Sequence, residues 1–488
     1  MIGHEVSEFG RVGSGHSGAR AGDRSGGGGA GDPRQPAFDS DGREVWGLSG
    51  RALWRGIRTF GGSVRQLELP ADLGDEHPGD GVTARGTLPD LHALPGIWSV
   101  VDGYSGLLDW LEQNFTLRRR LPDEPAATAV NLVEFGYDWR LSCRYNSLRL
   151  KRTVDEELAR WQESAPERRE ARVVLICHSM GGLIARHFVE CRGGDEVTRR
   201  LITLGTPHRG SLDALLTLTR GLRFGPLDLG GFARSLPSLH QLVPDYACLL
   251  SDGALLHPGE LAGLPGADHE LLRDGRRFHQ EIREAAQART EARHLFVPVS
   301  GVRQPTPTTA VVEGDGLRPL DTIEGLDEGG DGRVPRLSSR SPLARGADLA
   351  LRTVTEQHGS LQNNRGVRDI VWGALAPEPP YHRGDGDEEL TLSVRAPELL
   401  TEGEPYEMLV SVPEAAGGGD AGPALRLTVR GAGPAATGTT RTLERLGGGR
   451  HRTAVTGLGP GAYRAVVEAV GRRESAVTAL LLVIGRDA

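Results

Sequence analysis

ARVVLICHSMGGLIARHFVECR, residues 171–192, is the stretch that decides the fold. Four apolar residues, Val173 to Ile176, run into a cramped polar turn, and helical spacing follows. A continuous apolar run suits a parallel strand covered on both faces. Strand, tight turn and helix in that order give a G-x-S-x-G pattern its meaning as a nucleophile turn. Ser179 is therefore the candidate nucleophile, and the N–H of Met180 just after it is the candidate oxyanion donor. The turn must be tight so that the serine oxygen stands exposed at the end of the strand, and small flanking residues keep helix and strand from colliding. Gly181 meets that demand after the serine. Cys177 stands where the first glycine is expected, a small side chain in its place.

Outward from this stretch, strand-like and helix-like segments alternate from Asp39 to about Trp372, the signature of an α/β unit. AVNLVEFGYDW (129–139) reads as a strand entering a loop, and NSLRLKRTVDEELARWQE (146–163) as a helix with Leu148, Val154, Leu158 and Trp161 near one face. RRLITLGTPHRGS (199–211) and RHLFVPVSG (293–301) read as two more strands. About 80 residues of mixed loop and helix separate them, an insertion suited to a cap over an apolar pocket. Beyond the proline-rich, charged PEPPYHRGDGDEE, six short alternating segments with glycine or proline turns read as an immunoglobulin-like β-sandwich. The expected fold class is thus α/β: a mostly parallel sheet with helices on both faces and a cap insertion, followed by a β-sandwich. Its expected boundaries are a disordered tract over 1–38, the α/β unit over 39–375 with the cap at about 211–290, a linker over 376–388 and the sandwich over 389–488.

A chain of 488 residues can bury a large core. Its formal charge of −8 is mild and spread out, which argues against nucleic acid as a partner. Lys151 is the only lysine among 57 basic residues, a bias toward arginine codons and not a basic patch. Cys143, Cys177, Cys191 and Cys248 show no C-x-x-C spacing, so they read as free thiols in a reducing compartment. No apolar run reaches the length of a membrane span. The N-terminus lacks the apolar core of a signal peptide, which makes the cytoplasm the expected location. There is no zinc-ligand spacing, and the lone lysine lies in no phosphate-binding loop, so no metal or other cofactor is expected. GSGHSG (13–18) matches a dinucleotide fingerprint formally, but neither a strand nor a helix flanks it.

A serine hydroxyl is a weak nucleophile at neutral pH; it needs a histidine base, and the histidine needs an acid to fix its tautomer. On this kind of fold the three arrive in the order serine, acid, histidine. GGDGRVP places Asp331 in a glycine-rich loop that can turn a carboxylate inward at a strand end. VTEQHGSLQNN places His358 in a polar loop 27 residues further on. Asp327 shares the loop of Asp331 and is the runner-up, while Asp315 lacks the Val-Pro that follows Asp331. His178 and His187 lie too near the serine in sequence to come from a separate loop, and His208 precedes any plausible acid.

With these residues in place, the chain resembles the lecithin:cholesterol acyltransferase family of α/β-hydrolases, in its bacterial esterase/lipase-like branch. FGYDWR (135–140), CHSMGGLIAR (177–186), TLGTPHRGS (203–211), PSLHQLVPDY (237–246), GDGRVP (330–335) and QHGSLQ (357–362) carry the resemblance. It implies acyl transfer from a lipid-like or other ester to water or an alcohol through an acyl-enzyme on Ser179, with Asp331 and His358 completing the triad. A cap of this kind can also rest on a lipid or membrane surface. The resemblance assigns neither a role nor a protein partner to the C-terminal sandwich.

One departure stands at the front. The family begins with an apolar strand ending in a Pro-Gly loop whose N–H is half of the oxyanion hole. Here the residues before DSDGREVWGLSG are a Gly/Arg/Ser tract, which reads as out-of-frame or misassigned sequence and leaves a vacancy beside the serine strand. LPGIW, with Pro95 and Gly96, resembles the missing loop only superficially. A chain lacking that strand has a second reading, a catalytically impaired hydrolase scaffold that serves as a binding protein.

Overall fold

The structure is a computed structural model. It describes residues 68–82, 101–376 and 390–485, apart from gaps at 71, 122–123, 222, 225–226, 262, 265, 290–292, 315, 328, 341–351, 413–422 and 432–437, together with the short strands at 2–3, 37–38, 44–46 and 91–92. The fingerprint-like 13–18, the Pro95–Gly96 loop, Asp315 and the expected linker beyond residue 376 lie outside the described residues.

The central sheet runs in the order Ile2–Gly3, Val173–His178, Thr198–Leu204, Leu295–Val302, Arg352–Thr355. Its last four strands are mutually parallel. Side chains alternate across a strand, and here both faces are covered. Val173 and Leu175 enter a core shared with Leu150, Val154, Leu183, Ile184 and Phe188 of the helices Cys143–Glu163 and Met180–Cys191. Val174, Ile202, Val297 and Val354 enter a second core with Leu107, Leu111, Val367 and Val371 of the helices Ser105–Asn114 and Arg365–Leu375. Burial on both faces explains why the serine strand is apolar without alternation. Among the described residues no helix is long and apolar enough to cross a membrane.

Three expectations are corrected. The position beside the serine strand is not vacant: Ile2 and Gly3 pair antiparallel with Leu175 and Val174. An apolar strand with an open edge exposes a row of backbone donors and acceptors that any extended segment can satisfy. Residues 129–139 form no strand of the sheet; Leu132 makes an isolated bridge to Arg119, and the Asn131 side chain takes the Arg118 N–H at 2.8 Å and donates to Thr116 O at 2.9 Å. With its polar groups met by a loop, the segment stays outside the ladder. The insertion after Ser211 is more than loop and helix. Leu249–Ser251 and Ala254–Leu256 join Thr309–Glu313 and Gly316–Leu320 in a second, four-stranded sheet beside the helix Leu212–Arg220.

From Leu390 onward the chain forms two facing sheets around one core of Tyr406, Met408, Val410, Leu425, Leu427, Val467 and Leu481. All pairs are antiparallel except Leu399–Thr401, which runs parallel to Arg472–Ile484. Tyr406–Ser411 alternates strictly, buried then exposed.

Candidate active site

Ser179 sits between the strand Val173–His178 and the helix Met180–Cys191 with φ 53° and ψ −130°, a region L-residues rarely occupy. Three hydrogen bonds hold it there. Its N–H donates to Leu204 O at 2.9 Å, while its carbonyl accepts from Gly182 N at 3.0 Å and from Thr206 Oγ1 at 2.9 Å. The close approach of Thr206 identifies the glycine this turn requires. A Cβ on Gly182 would lie 2.0 Å from Thr206 Oγ1, whereas one on Gly181 would meet only ordinary contacts, the nearest 3.7 Å away at Tyr137 Oη. The steric demand assigned to Gly181 from the sequence belongs to Gly182. Cys177 faces Gly181, and burial pushes its thiol up to about 11, which keeps it neutral.

The three residues singled out in the sequence meet at the top of the sheet. His358 Nε2 lies 2.8 Å from Ser179 Oγ, and His358 Nδ1 lies 2.8 Å from Asp331 Oδ2. A carboxylate can only accept, so Nδ1 carries the proton and Nε2 is free to accept from the serine hydroxyl. The other oxygen of Asp331 accepts from Arg333 N at 3.0 Å and Val334 N at 2.7 Å, and the Asp331 carbonyl accepts from His358 N at 2.8 Å. Asp327 is exposed, and its carboxylate accepts from Gly329 N instead. Gly205, at φ +57°, admits this pair: a Cβ there would stand 2.9 Å from Asp331 Oδ2 and 3.2 Å from His358 Nδ1. Met180 is the first residue of its helix, so its N–H lies outside the intrahelical ladder.

The other histidines weighed as candidates, His178, His187 and His208, make their hydrogen bonds away from the serine oxygen. His187 meets Ser147 Oγ at 2.6 Å, and His208 lies 3.2 Å from Thr203 Oγ1 and edge-on to Phe296. His178 touches the site from behind, its Nε2 2.9 Å from His358 O and its Nδ1 2.9 Å from Tyr104 Oη. Because a carbonyl can only accept, Nε2 donates to it and Tyr104 donates to Nδ1. Burial, with His358 close by, lowers His178 to about 3 and keeps it neutral. Sequence reasoning missed this supporting role, along with Tyr104, Thr206 and Gly205. The only local signal was that His178 adjoins the serine.

The FGYDWR segment serves as an anchor. Arg140, fully buried, binds Asp138 at 2.6 Å and Asp80 at 2.7 Å, and Ser238 Oγ of the insertion donates to Trp139 O at 2.6 Å. Behind Asp331 and His358 lies a cavity of about 110 Å³, walled also by Pro305, Gln357, Val394 and Leu480, so the C-terminal sheets form part of its lining. Among the described residues no cluster of three or more His, Cys, Asp or Glu could hold a metal ion.

A parallel sheet with helices on both faces and a serine turn between strand and helix fits the α/β-hydrolase class. Residues 127–254 match the family model of lecithin:cholesterol acyltransferase, and over that stretch the chain is similar to that family. Curated protein sequences gave no match. Among solved structures, the chain is similar to one in the Tle4-Tli4 complex, at 16% identity over 49% of this chain and 66% of that one, TM-score 0.36. It is also similar to the Bacillus licheniformis lipase BlEst2 in propeptide form, at 14% identity over 72% of this chain and 65% of that one, TM-score 0.26. It thus spans just under two thirds of each of these two chains. A shorter similarity reaches the CARDB domain of the Pyrococcus furiosus PF1109 protein, at 16% identity over 21% of this chain and 99% of that one, TM-score 0.14.

Proposed function

We propose that the protein is a serine-dependent acyl hydrolase or O-acyltransferase acting on lipid-like esters through an acyl-enzyme. The observation that carries the reading is the continuous hydrogen-bonded line Ser179 Oγ, His358 Nε2, His358 Nδ1, Asp331 Oδ2. Ser179 attacks the ester carbonyl while His358 Nε2 takes the hydroxyl proton, and Asp331 holds the tautomer and stabilises the imidazolium. The Met180 N–H supports the developing oxyanion. His358 then returns the proton to the leaving alcohol, and the acyl group passes from Ser179 to water or a second alcohol in the reverse sequence of proton moves. The LCAT-like match supports lipid esters as the substrate class, with the insertion over 211–290 as the cap. We read the two C-terminal sheets as an immunoglobulin-like sandwich that carries no chemistry of its own.

The test is a panel of p-nitrophenyl esters of short and long acyl chains, with Ser179→Ala as control. Turnover that the substitution abolishes, and that rises with chain length, is the expected result. Turnover indifferent to Ser179, or none with any ester, overturns the reading and favours the non-catalytic scaffold.

A further inference from the structure

The residues on either side of His358 are fastened to one residue of the C-terminal sheets. Glu356 Oε1 accepts from Thr478 N at 2.8 Å, and Ser360 Oγ donates to Thr478 O at 3.1 Å. Thr478 lies on the strand Arg472–Ile484, opposite Val466 of Gly461–Ala469. On its other side, among the described residues, that strand is paired only at Leu482, Val483 and Ile484, by Leu399–Thr401. The histidine turn therefore covers the open edge, taking up one donor and one acceptor that an edge strand would leave to solvent. Nearby, the amide of Gln304 makes a similar pair, donating to Leu392 O at 3.0 Å and accepting from Val394 N at 2.9 Å. Arg333, next but one to Asp331, binds both Asp213 of the insertion and Glu398 of the C-terminal unit.

Glu356 is the pivot of this contact. Its Oε1 also accepts from Gln357 N at 2.9 Å, and its Oε2 accepts from Asn364 Nδ2 at 3.2 Å, while Asn364 Oδ1 caps the helix Arg365–Leu375. A single buried carboxyl thus joins the base turn, the following helix and the C-terminal sheets. Burial, with Asp102 adding in the same direction, pushes it up to about 7 against the pull of these hydrogen bonds. Of the charged groups around it, Asp102 is paired with Arg464 of the C-terminal unit, and His358 is paired with Asp331.

We propose that the C-terminal β unit positions the catalytic base, with Glu356 as the positioning residue through which Thr478 fixes the turn that presents His358 to Ser179. The proposal rests on the reading of His358 as that base. Glu356 touches neither substrate nor reacting atoms; it acts by holding His358 Nε2 within reach of the serine oxygen, where a misplacement of about 1 Å can cost 10²-fold in rate.

The test uses the full chain with Glu356→Ala, Glu356→Gln and the milder Ser360→Ala, and reads kcat and KM on a p-nitrophenyl ester beside hydrogen exchange of the peptide over 352–364. Glu356→Ala is expected to lower kcat by about 10- to 100-fold with KM little changed, and to speed exchange in that peptide alone. Glu356→Gln, which keeps a carbonyl oxygen for the Thr478 N–H, is expected to restore most of kcat, and Ser360→Ala to fall between. Full kcat in Glu356→Ala overturns the proposal. So does an equal loss in the Ala and Gln variants together with a fall in melting temperature, or a loss confined to KM. If the wild-type chain turns over no ester, the functional reading fails, and exchange still decides the positioning: unchanged exchange in Glu356→Ala refutes it, and faster exchange confined to 352–364 upholds it.

Discussion

The α/β unit and the C-terminal sheets bury different kinds of residue. Among the described residues, Arg140, Asp138, His178, His187, His279, Asp331, Glu356 and His358 are all buried in the first, whereas beyond residue 390 the buried polar groups are those of His451 and Ser475 and the Tyr406 hydroxyl. Buried polar groups cost free energy unless they are paired, and they gather where a site needs them, which on the proposed function is the first unit. The second unit closes around an apolar core and meets the site at Val394, Glu398, Thr478 and Leu480 among other residues. On the proposed function, the first unit holds the reacting groups and the second supports them.

The largest expected effect tests the reactive side of this contrast. Asp331→Asn should lower kcat on the ester panel by about 10⁴-fold, because the histidine loses its tautomer, while Asp327→Asn, changed on an exposed residue of the same loop, should leave kcat unaltered. Equal losses would dissolve the distinction.

Acid should separate the two units next. Burial lowers His178 and His187 to about 3 and His279 to about 4. Their folded pKa values lie below the ordinary 6.5, so the unfolded chain binds more protons below that pH. Stability is complete above 6.5 and falls as pH drops toward the folded values, by about 1.4 kcal/mol per pH unit for each histidine. Glu356, raised to about 7, contributes in the opposite sense, losing stability as pH rises from about 4.5 through 7, but it is one group against three. Hydrogen exchange at pH 7 and pH 5 should show the strand Val173–His178 losing protection before Gly461–Ala469. Simultaneous loss would mean that the two units unfold as one.

The C-terminal unit has its own pair. Met408 is fully buried and Leu409 is 47% exposed on the same strand. Met408→Ala should cost about 2–5 kcal/mol in denaturant unfolding, and Leu409→Ala should stay within about 0.5 kcal/mol. The smallest effect returns to the serine turn. Gly182→Ala must displace Thr206 and should cost about 1–3 kcal/mol together with activity, whereas Gly181→Ala, free of close contacts within a helix, should be neutral or stabilise by about 0.5–1 kcal/mol.

The same contrast explains what the sequence made legible. Val173 to Ile176 and the alternation at Tyr406 to Ser411 could be read because burial on two faces, or on one, writes itself into the order of apolar residues. Asp331 and His358 could be ranked because each stands in a short local context in the order the chemistry requires. The strands Thr439–Thr442 and Glu444–Gly447 went unseen because every residue in them is exposed, so no pattern marks them. Thr478, Glu356 and Gln304 were invisible for another reason: their partners lie 88 to 122 residues away, and no local spacing encodes such a contact. The choice of Gly182 over Gly181 likewise depended on Thr206, which approaches from the neighbouring loop.

The central claim is that Ser179 is a nucleophile activated by His358. Its most direct test is labelling of the intact chain with a fluorophosphonate, a reagent that phosphonylates activated serines, followed by peptide mass spectrometry. The account predicts one adduct per chain, on Ser179, absent in Ser179→Ala and strongly slowed in His358→Ala. An unlabelled wild-type chain, an adduct on another residue, or labelling of Ser179 at an unchanged rate in His358→Ala would contradict it.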